Sequence, residues 1–234
     1  MSKKKAKFDA IILAGGKGSR LGKLTTDQQK CTLLVNGVPF IIHVIDKLHS
    51  LIDGNILIAT GFRNEDIRES LSNLKIDNIE ISEENYPLGT GGATIKAAKK
   101  SNAEFVVILN GDTFLDFDLS FYIKKTVKKG LLFFGSPGVF TSKGSIYEND
   151  TLAYKALDGN LKLETGIVFT GCCILLRSFL AKKTVSNFSL DDLLRDLVFS
   201  KSLEIKTNVG QFWDIGTIDG LNKTKKRLET LQDE

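Results

Sequence analysis

The stretch from Phe8 to Ala14 is an apolar run of strand length that passes directly into Gly15-Gly16-Lys17-Gly18-Ser19-Arg20. A strand ending in glycines constrains the fold strongly, because open α/β sheets bind ligands at the carboxyl ends of their strands. Glycine admits φ > 0 and lets backbone N–H groups close on an anion. Lys17, Arg20, Lys23 and Lys30 add cations, and an arginine can hold two phosphate oxygens at once. Taken alone, the pattern fits a phosphate cradle and a tight turn with solvated basic residues about equally. It is not a P-loop, since no Lys-Ser or Lys-Thr follows the last glycine, and its glycine spacing is not that of a dinucleotide fingerprint.

Downstream, strand and helix patterns alternate. Phe40, Ile41, Val44, Ile45 and Leu48 recur at helical spacing across Pro39 to Leu51, with Pro39 in the first turn. The pattern predicts strands over Asn55–Thr60, Ile76–Ser82 and Glu104–Asn110, and helices over Asn64–Leu74 and Gly92–Lys100. Such alternation implies βαβ units and a mainly parallel sheet. Its core is expected to include Ile11, Ile12, Leu13, Ile56, Leu57, Ile58, Val106, Val107 and Ile108. A helix over Leu119–Lys129 and a strand over Leu131–Ser136 follow. The segment Val139–Ile167, rich in Gly, Ser and Asn, reads as hairpins and loops. Gly171–Leu176 is a buried strand, Leu190–Phe199 an amphipathic helix, Leu203–Lys206 and Gln211–Trp213 short strands, and Thr217–Leu231 a closing helix.

The 234 residues, 42% apolar and 26% charged, suffice for one full core. The formal net charge of +4 owes much to Lys3, Lys4, Lys5 and Lys7. Residues 1–7 are therefore expected to be a disordered basic tail on a domain spanning 8–234, and not a nucleic-acid arm, since no aromatic or further basic cluster backs them. No apolar run has the length of a membrane span, and no signal peptide is expected. Cys31, Cys172 and Cys173 have no metal or redox spacing and read as core residues of a reduced, cytoplasmic protein.

Two acidic residues end apolar segments. Val106-Val107-Ile108-Leu109-Asn110-Gly111-Asp112-Thr113 sets Asp112 at a strand's carboxyl edge, and Phe212-Trp213-Asp214-Ile215-Gly216-Thr217 does the same for Asp214. If the glycine loop holds a triphosphate, such carboxylates would hold its divalent metal. An ordinary turn aspartate at 112 and a helix cap at 214 account for the residues equally well. Asp116 reads as a loop acid and Asp118 as a helix cap. Tyr86-Pro87-Leu88-Gly89-Thr90-Gly91-Gly92-Ala93 is a second glycine-rich segment, either another phosphate site or a flexible turn.

Four segments, in order, carry a resemblance. Gly15-Gly16-Lys17-Gly18-Ser19-Arg20-Leu21 with Leu24-Thr25, Lys30 and Val35-Asn36-Gly37-Val38-Pro39, then Pro87 to Ala93, then Asn110-Gly111-Asp112, then Trp213-Asp214-Ile215-Gly216-Thr217, resemble the sugar-1-phosphate nucleotidylyltransferases. Within that family the chain looks most like the short enzymes that make GDP-activated heptose, with mannose-1-phosphate guanylyltransferases next. The resemblance implies a single three-layer, Rossmann-like α/β domain with a mixed, mostly parallel sheet. Residues 8–120 would form the nucleotide-binding half and 121–234 the sugar-binding half. It also implies condensation of an NTP, GTP by preference, with a sugar 1-phosphate, releasing pyrophosphate in nucleotide-sugar biosynthesis.

Residue by residue, the resemblance implies catalysis by Arg20, Lys30 and Asp112, and Mg²⁺ on Asp112 and Asp214. Leu13, Ala14, Gly15, Gly16, Gly18, Ser19, Glu84, Gly89 and Thr90 would contact the nucleotide, with Glu83 competing for the register of Glu84. Asn110, Glu164 and Gly171 would contact the sugar. Two departures stand out. Gln29-Lys30-Cys31 replaces the family's Pro-Lys-Pro, which predicts a less restrained backbone. Glu164-Thr165 replaces Glu-Lys, so Lys162 or Lys155 would have to supply the missing cation. Cytidylyl or uridylyl transfer to another phosphate, and a regulatory subunit without chemistry, are the alternatives. A homodimer is compatible with the sequence; an appended β-helix is not, for want of hexapeptide repeats.

Overall fold

The computed structural model describes residues 8–123, 130–137, 143–148, 151–156 and 168–233. In chain order its elements are β1 (Phe8–Leu13), two 3-10 turns (Ser19–Thr25 and Lys30–Thr32), β2 (Leu34–Val35), β3 (Val38–Pro39), α1 (Phe40–His49), β4 (Ile56–Thr60), α2 (Asn64–Leu71), β5 (Ile79–Glu83), α3 (Gly89–Ala98), β6 (Phe105–Asn110), β7 (Thr113–Asp116) and α4 (Ser120–Ile123). There follow β8 (Gly130–Pro137), β9 (Lys143–Glu148), β10 (Thr151–Ala156), β11 (Val168–Leu176), α5 (Arg177–Ala181), α6 (Leu190–Phe199), β12 (Glu204–Lys206), β13 (Gln211–Asp214) and α7 (Ile218–Asp233).

The main sheet runs β5-β4-β1-β6-β11-β8-β13-β7, with β12 also paired to β8. The pairs β5/β4, β4/β1 and β1/β6 are parallel, as are β12/β8 and β13/β8, whereas β11 runs antiparallel to both β6 and β8, and β13 to β7. The sheet is thus mixed and mostly parallel. Period-2 alternation divides its side chains between two buried clusters. Ala10, Ile12, Ile56, Ile58 and Val107 pack with α1, α2 and α7 on one face. Ile11, Leu57, Val106 and Ile108 pack with α3, α5 and α6 on the other. This is the expected three-layer arrangement. Each fully buried Ile or Leu contributes about 1.5–3 kcal/mol. Of the predicted core residues only Leu13 is not fully buried, because it comes at the carboxyl end of β1, where the site opens.

Several elements differ from expectation. Val35-Asn36-Gly37-Val38 closes a small hairpin, with Asn36 at φ 53° and Gly37 at φ 81°. Two consecutive positive φ values are what a tight two-residue turn needs, and Asn-Gly is its usual signal. β5 starts at Ile79, not Ile76, after Asn78 turns its amide to the Gly54 carbonyl at 2.5 Å. Thr113–Asp116 is a strand rather than a loop. Asp116 ends it by accepting from Trp213 Nε1 at 3.1 Å and from Arg227 Nε at 2.7 Å, which fixes α7 to the β7/β13 ladder. Burial raises the Asp116 pKa, but the Arg227 and Trp213 bonds outweigh it and hold the carboxyl below its ordinary value. Asp118 accepts from Ser120 N at 2.8 Å, as a cap does; the predicted helix beyond Ile123 lies outside the described residues, as does the tail 1–7. β9 and β10 form one hairpin in the segment predicted to hold hairpins. The three cysteines are buried and free. Among the described residues no helix is long and apolar enough to cross a membrane.

α3 begins at Gly89, three residues ahead of the expected Gly92, so the second glycine-rich segment is itself a helix start. A methyl group at Gly89 would lie 2.5 Å from the Phe188 carbonyl oxygen, and one at Gly92 would overlap the carbonyl oxygen of Ser186. These glycines admit the 186–188 segment against the helix. Gly92→Ala is therefore expected to destabilise the fold by about 1–3 kcal/mol, as overpacking does, despite the roughly 1 kcal/mol that alanine gains in a helix. Thermal unfolding should show a fall of about 2–4 °C per kcal/mol. An unchanged or raised Tm would refute the close-packing account.

Candidate active site

Three strand ends meet at one edge of the sheet. β1 and β6 are in register to Leu13 opposite Asn110, and Gly111 N then donates to Leu13 O at 2.9 Å. β13 and β7 pair with Asp214 opposite Thr113, and Ile215 N donates to Asp112 O at 3.0 Å. Two acids far apart in sequence are thereby set side by side. Asp214 is not the cap of α7. Its Oδ1 accepts from Gly216 N at 2.5 Å, and Thr217 Oγ1 serves the helix by accepting from Gly220 N at 3.0 Å.

Lys30 enters this acidic pair from the 3-10 turn behind the glycine loop. Its stem lies against Gly18, whose φ of 67° and lack of Cβ leave room; a Cβ there would come 2.9 Å from Lys30 Cβ. The ammonium is buried and forms an ion pair with Asp112. Burial works against the charged lysine, but Asp112 and then Asp214 outweigh it and raise its pKa. The Asp112 carboxyl is likewise opposed by burial yet held below its ordinary value by Lys30. Asp214 gains less from the lysine. Burial and the Asp112 charge push it up to about 6. Arg20 is exposed and completes the group: a methyl at Gly216 would lie 2.5 Å from Asp214 Oδ1, 2.9 Å from an Arg20 terminal nitrogen and 3.3 Å from Lys30 Nζ.

The Asp112 carboxylate borders a cavity of about 580 Å³. Gly15, Gly16 and Lys17 form one wall; Ala59, Gly61 and Phe62 continue it from the end of β4; residues Glu84 to Pro87 with Gly89, Thr90 and Ala93 form the other. Of the expected site residues, Leu13, Gly15, Gly16, Lys30, Glu84, Gly89, Thr90, Asn110 and Asp112 line it. Ala14 lies behind the loop, fully buried, and Ser19 is exposed at the start of the first 3-10 turn. Gly171, at φ 74° in an irregularity of the β11/β8 pairing, sits under the Asn110 side chain. Thr90 Oγ1 accepts from Leu190 N at 2.8 Å, so it tethers α6 as well as facing the cavity. Glu84 and Glu83 separate cleanly. Glu83 pairs with Arg68 at 3.0 Å on the surface, while Glu84 lines the cavity and accepts from Leu88 N at 2.8 Å. Burial raises the Glu84 pKa against the pull of the Leu88 N–H and Lys96.

Glu164 and Lys162 lie outside the described residues, and Lys155 falls in β10 with its side chain outside them. Sequence reasoning missed two contributors, Phe62 and Gln29. Lys17 Nζ stands 5.8 Å from the Phe62 ring centroid, a cation–π contact between two residues that line the cavity. Gln29, expected to leave the backbone loose, is fully buried and hydrogen-bonded at both ends. Among the described residues no group of three His, Cys, Asp or Glu side chains could cage a metal. Two carboxylates beside a cavity do suit Mg²⁺, which is commonly held by one or two carboxylates together with substrate phosphates and water.

Residues 9–138 match the family described as nucleotidyl transferase. The chain is 29% identical over 232 residues to the D-glycero-alpha-D-manno-heptose 1-phosphate guanylyltransferase of Aneurinibacillus thermoaerophilus, covering 95% of this chain and 99% of that protein. Over 114 residues it is 37% identical to the protein of the same name from Campylobacter jejuni, covering 48% of this chain and 51% of the other. The fold matches the crystal structure of HddC from Yersinia pseudotuberculosis with a TM-score of 0.76 at 24% identity, over 94% of this chain and 99% of that one.

Proposed function

The chain belongs to the nucleotidyl transferase family, and on that premise we propose that it condenses an NTP, GTP by preference, with a sugar 1-phosphate of the heptose or mannose type, giving an NDP-sugar and pyrophosphate. The observation that carries this proposal is the convergence of Asp112, Asp214, Lys30 and Arg20, of which Asp112 and Lys30 line a glycine-walled cavity. In such a reaction a sugar-phosphate oxygen attacks the α-phosphorus in line and pyrophosphate leaves, so the protein contributes positioning and charge neutralisation. The backbone of Gly15, Gly16 and Gly18 cradles the phosphates, Lys30 neutralises charge at the α-phosphate, and Arg20 steadies the departing pyrophosphate. Asp112 and Asp214 would hold Mg²⁺, which when bound supplies charge neutralisation across the reacting phosphates. Residues 8–120 form the nucleotide half and 121–234 the sugar half.

Base choice rests on Glu84. A partly buried carboxylate lining the cavity accepts from the amino group of guanine, and adenine has no such donor at that carbon. A site of this kind rejects the wrong base because its buried polar atom is left unpaired. Glu84→Ala is expected to lower kcat/KM for GTP by about 10- to 100-fold, on the scale of one lost buried hydrogen bond to a charge, and to change the value for the other triphosphates much less. Pyrophosphate release over a panel of GTP, ATP, CTP, UTP and dTTP with heptose, mannose and glucose 1-phosphates checks both points. Preference for UTP or dTTP with glucose 1-phosphate would overturn guanylyl transfer while leaving nucleotidyl transfer standing, and release with none of them would favour a binding subunit.

A further inference from the structure

Gln29 occupies a place where its chemistry is specific. Its Nε2 donates to Ala14 O at 2.5 Å and to Gly16 O at 3.3 Å, while its Oε1 accepts from Cys31 N. Both amide hydrogens and the carbonyl are thus used, and the opposite orientation of the amide would set an NH2 against an N–H. Its backbone N donates to Asp66 Oδ2 at 2.6 Å, and Asp66 is itself held by Arg63 Nε at 2.8 Å. The Arg63 and Gln29 bonds hold the Asp66 pKa down against the effect of burial.

The consequence follows from peptide geometry. In a planar trans peptide the C=O and the next N–H point in opposite directions. Drawing the carbonyls of Ala14 and Gly16 inward to the buried carboxamide therefore turns the N–H groups of Gly15 and Lys17 away from it, on the side where Gly15, Gly16 and Lys17 line the cavity. Glycine-rich backbone left to itself samples many conformations, and fixing each residue costs about 1–2 kcal/mol. The same carboxamide also binds the N–H of Cys31, adjacent to Lys30.

We propose that Gln29 is a positioning residue that presets the Gly15 and Lys17 N–H groups as triphosphate donors and links their geometry to that of Lys30. This rests on the proposal that the loop binds an NTP. At φ −69° Gln29 has a backbone that proline would also adopt. Gln29→Pro therefore separates two accounts, since it keeps the backbone restraint but loses the carboxamide and the N–H to Asp66.

Binding of GTP with Mg²⁺ is measured by titration calorimetry, and the KM for the sugar 1-phosphate by steady-state kinetics. For Gln29→Met and Gln29→Pro the expected result is a rise of about tenfold in the GTP Kd, the scale of one net hydrogen bond to a charged group, with the sugar 1-phosphate KM within twofold of the parent. A Gln29→Pro protein that binds GTP as the parent does, or a Gln29→Met protein that loses affinity for both substrates equally, overturns the proposal. Where these variants do not fold, Asp66→Asn weakens the bonds of Asp66 to Gln29 N and to Arg63 and leaves the carboxamide in place; a two- to threefold rise in the GTP Kd alone supports the proposal, and no change overturns it. If the parent itself binds no triphosphate, the proposed function fails first, so the two failures are distinct.

Discussion

Asp112→Asn is expected to lower kcat by a factor on the order of 10³, the range lost when one charge-stabilising group is removed from a preorganised site. Asparagine keeps the shape and can still accept a hydrogen bond from Lys30, so the loss isolates the charge. Two effects of that charge act together in the proposed mechanism. One of the two carboxylates suited to Mg²⁺ disappears, and among the described residues the Lys30 ammonium keeps Asp214 as its acidic neighbour. Leaving a buried charge with no partner costs about 3–5 kcal/mol; Asp214 lies near enough to share that role, so the fold should survive with a modest loss of Tm. Pyrophosphate release at saturating substrates, titrated with Mg²⁺, gives the answer. A turnover near that of the parent at ordinary Mg²⁺ would remove Asp112 from the chemistry.

Asp112 is legible from pattern and its partnership with Asp214 from the resemblance, but the strand pairing that joins the two is not, for a physical reason. The apolar run of β6 ends at Asn110-Gly111-Asp112, and period and composition alone place that acid at a strand end. The pairing of β7 with β13 is a different matter. It joins Thr113 to Asp214 across most of the second half of the chain, and β7 is four residues long and ends in an acid. Local pattern makes such a segment a loop. Only the tertiary partners Trp213 and Arg227 make Asp116 a good strand terminus. The glycines at 89 and 92 were legible as glycines but not in purpose, because the requirement comes from Phe188 and Ser186, about a hundred residues away in sequence.

Gln29 is the strongest case of the same limit. In the sequence the loss of the two prolines that flank the family's lysine reads as lost restraint. In the fold the restraint is supplied by side-chain hydrogen bonds in place of ring closure, and its partners come from Ala14 just beyond β1, from the glycine loop and from α2. No local window contains them all.

Arg20→Ala is expected to cost a factor on the order of 10³ in kcat, the lower end of what arginines contribute in phosphoryl transfer, without loss of stability. Stability is where it differs from Asp112. Arg20 is exposed, so truncating it leaves no buried charge and no cavity in the core. Its guanidinium nevertheless reaches Gly216, where Asp214 and Lys30 also converge, a point that only the missing side chain of Gly216 leaves open. In the proposed reaction a cation in that position would meet the charge that grows on pyrophosphate as it departs, so its removal should lower kcat far more than it raises the KM of the triphosphate. Arg20→Lys should recover only part of the loss, because lysine supplies the charge without the planar fork that binds two phosphate oxygens. A rise in KM that accounts for the whole fall in kcat/KM, with kcat unchanged, would make Arg20 a substrate-binding residue alone, and full turnover by Arg20→Ala with any NTP and Mg²⁺ would exclude it from the reaction.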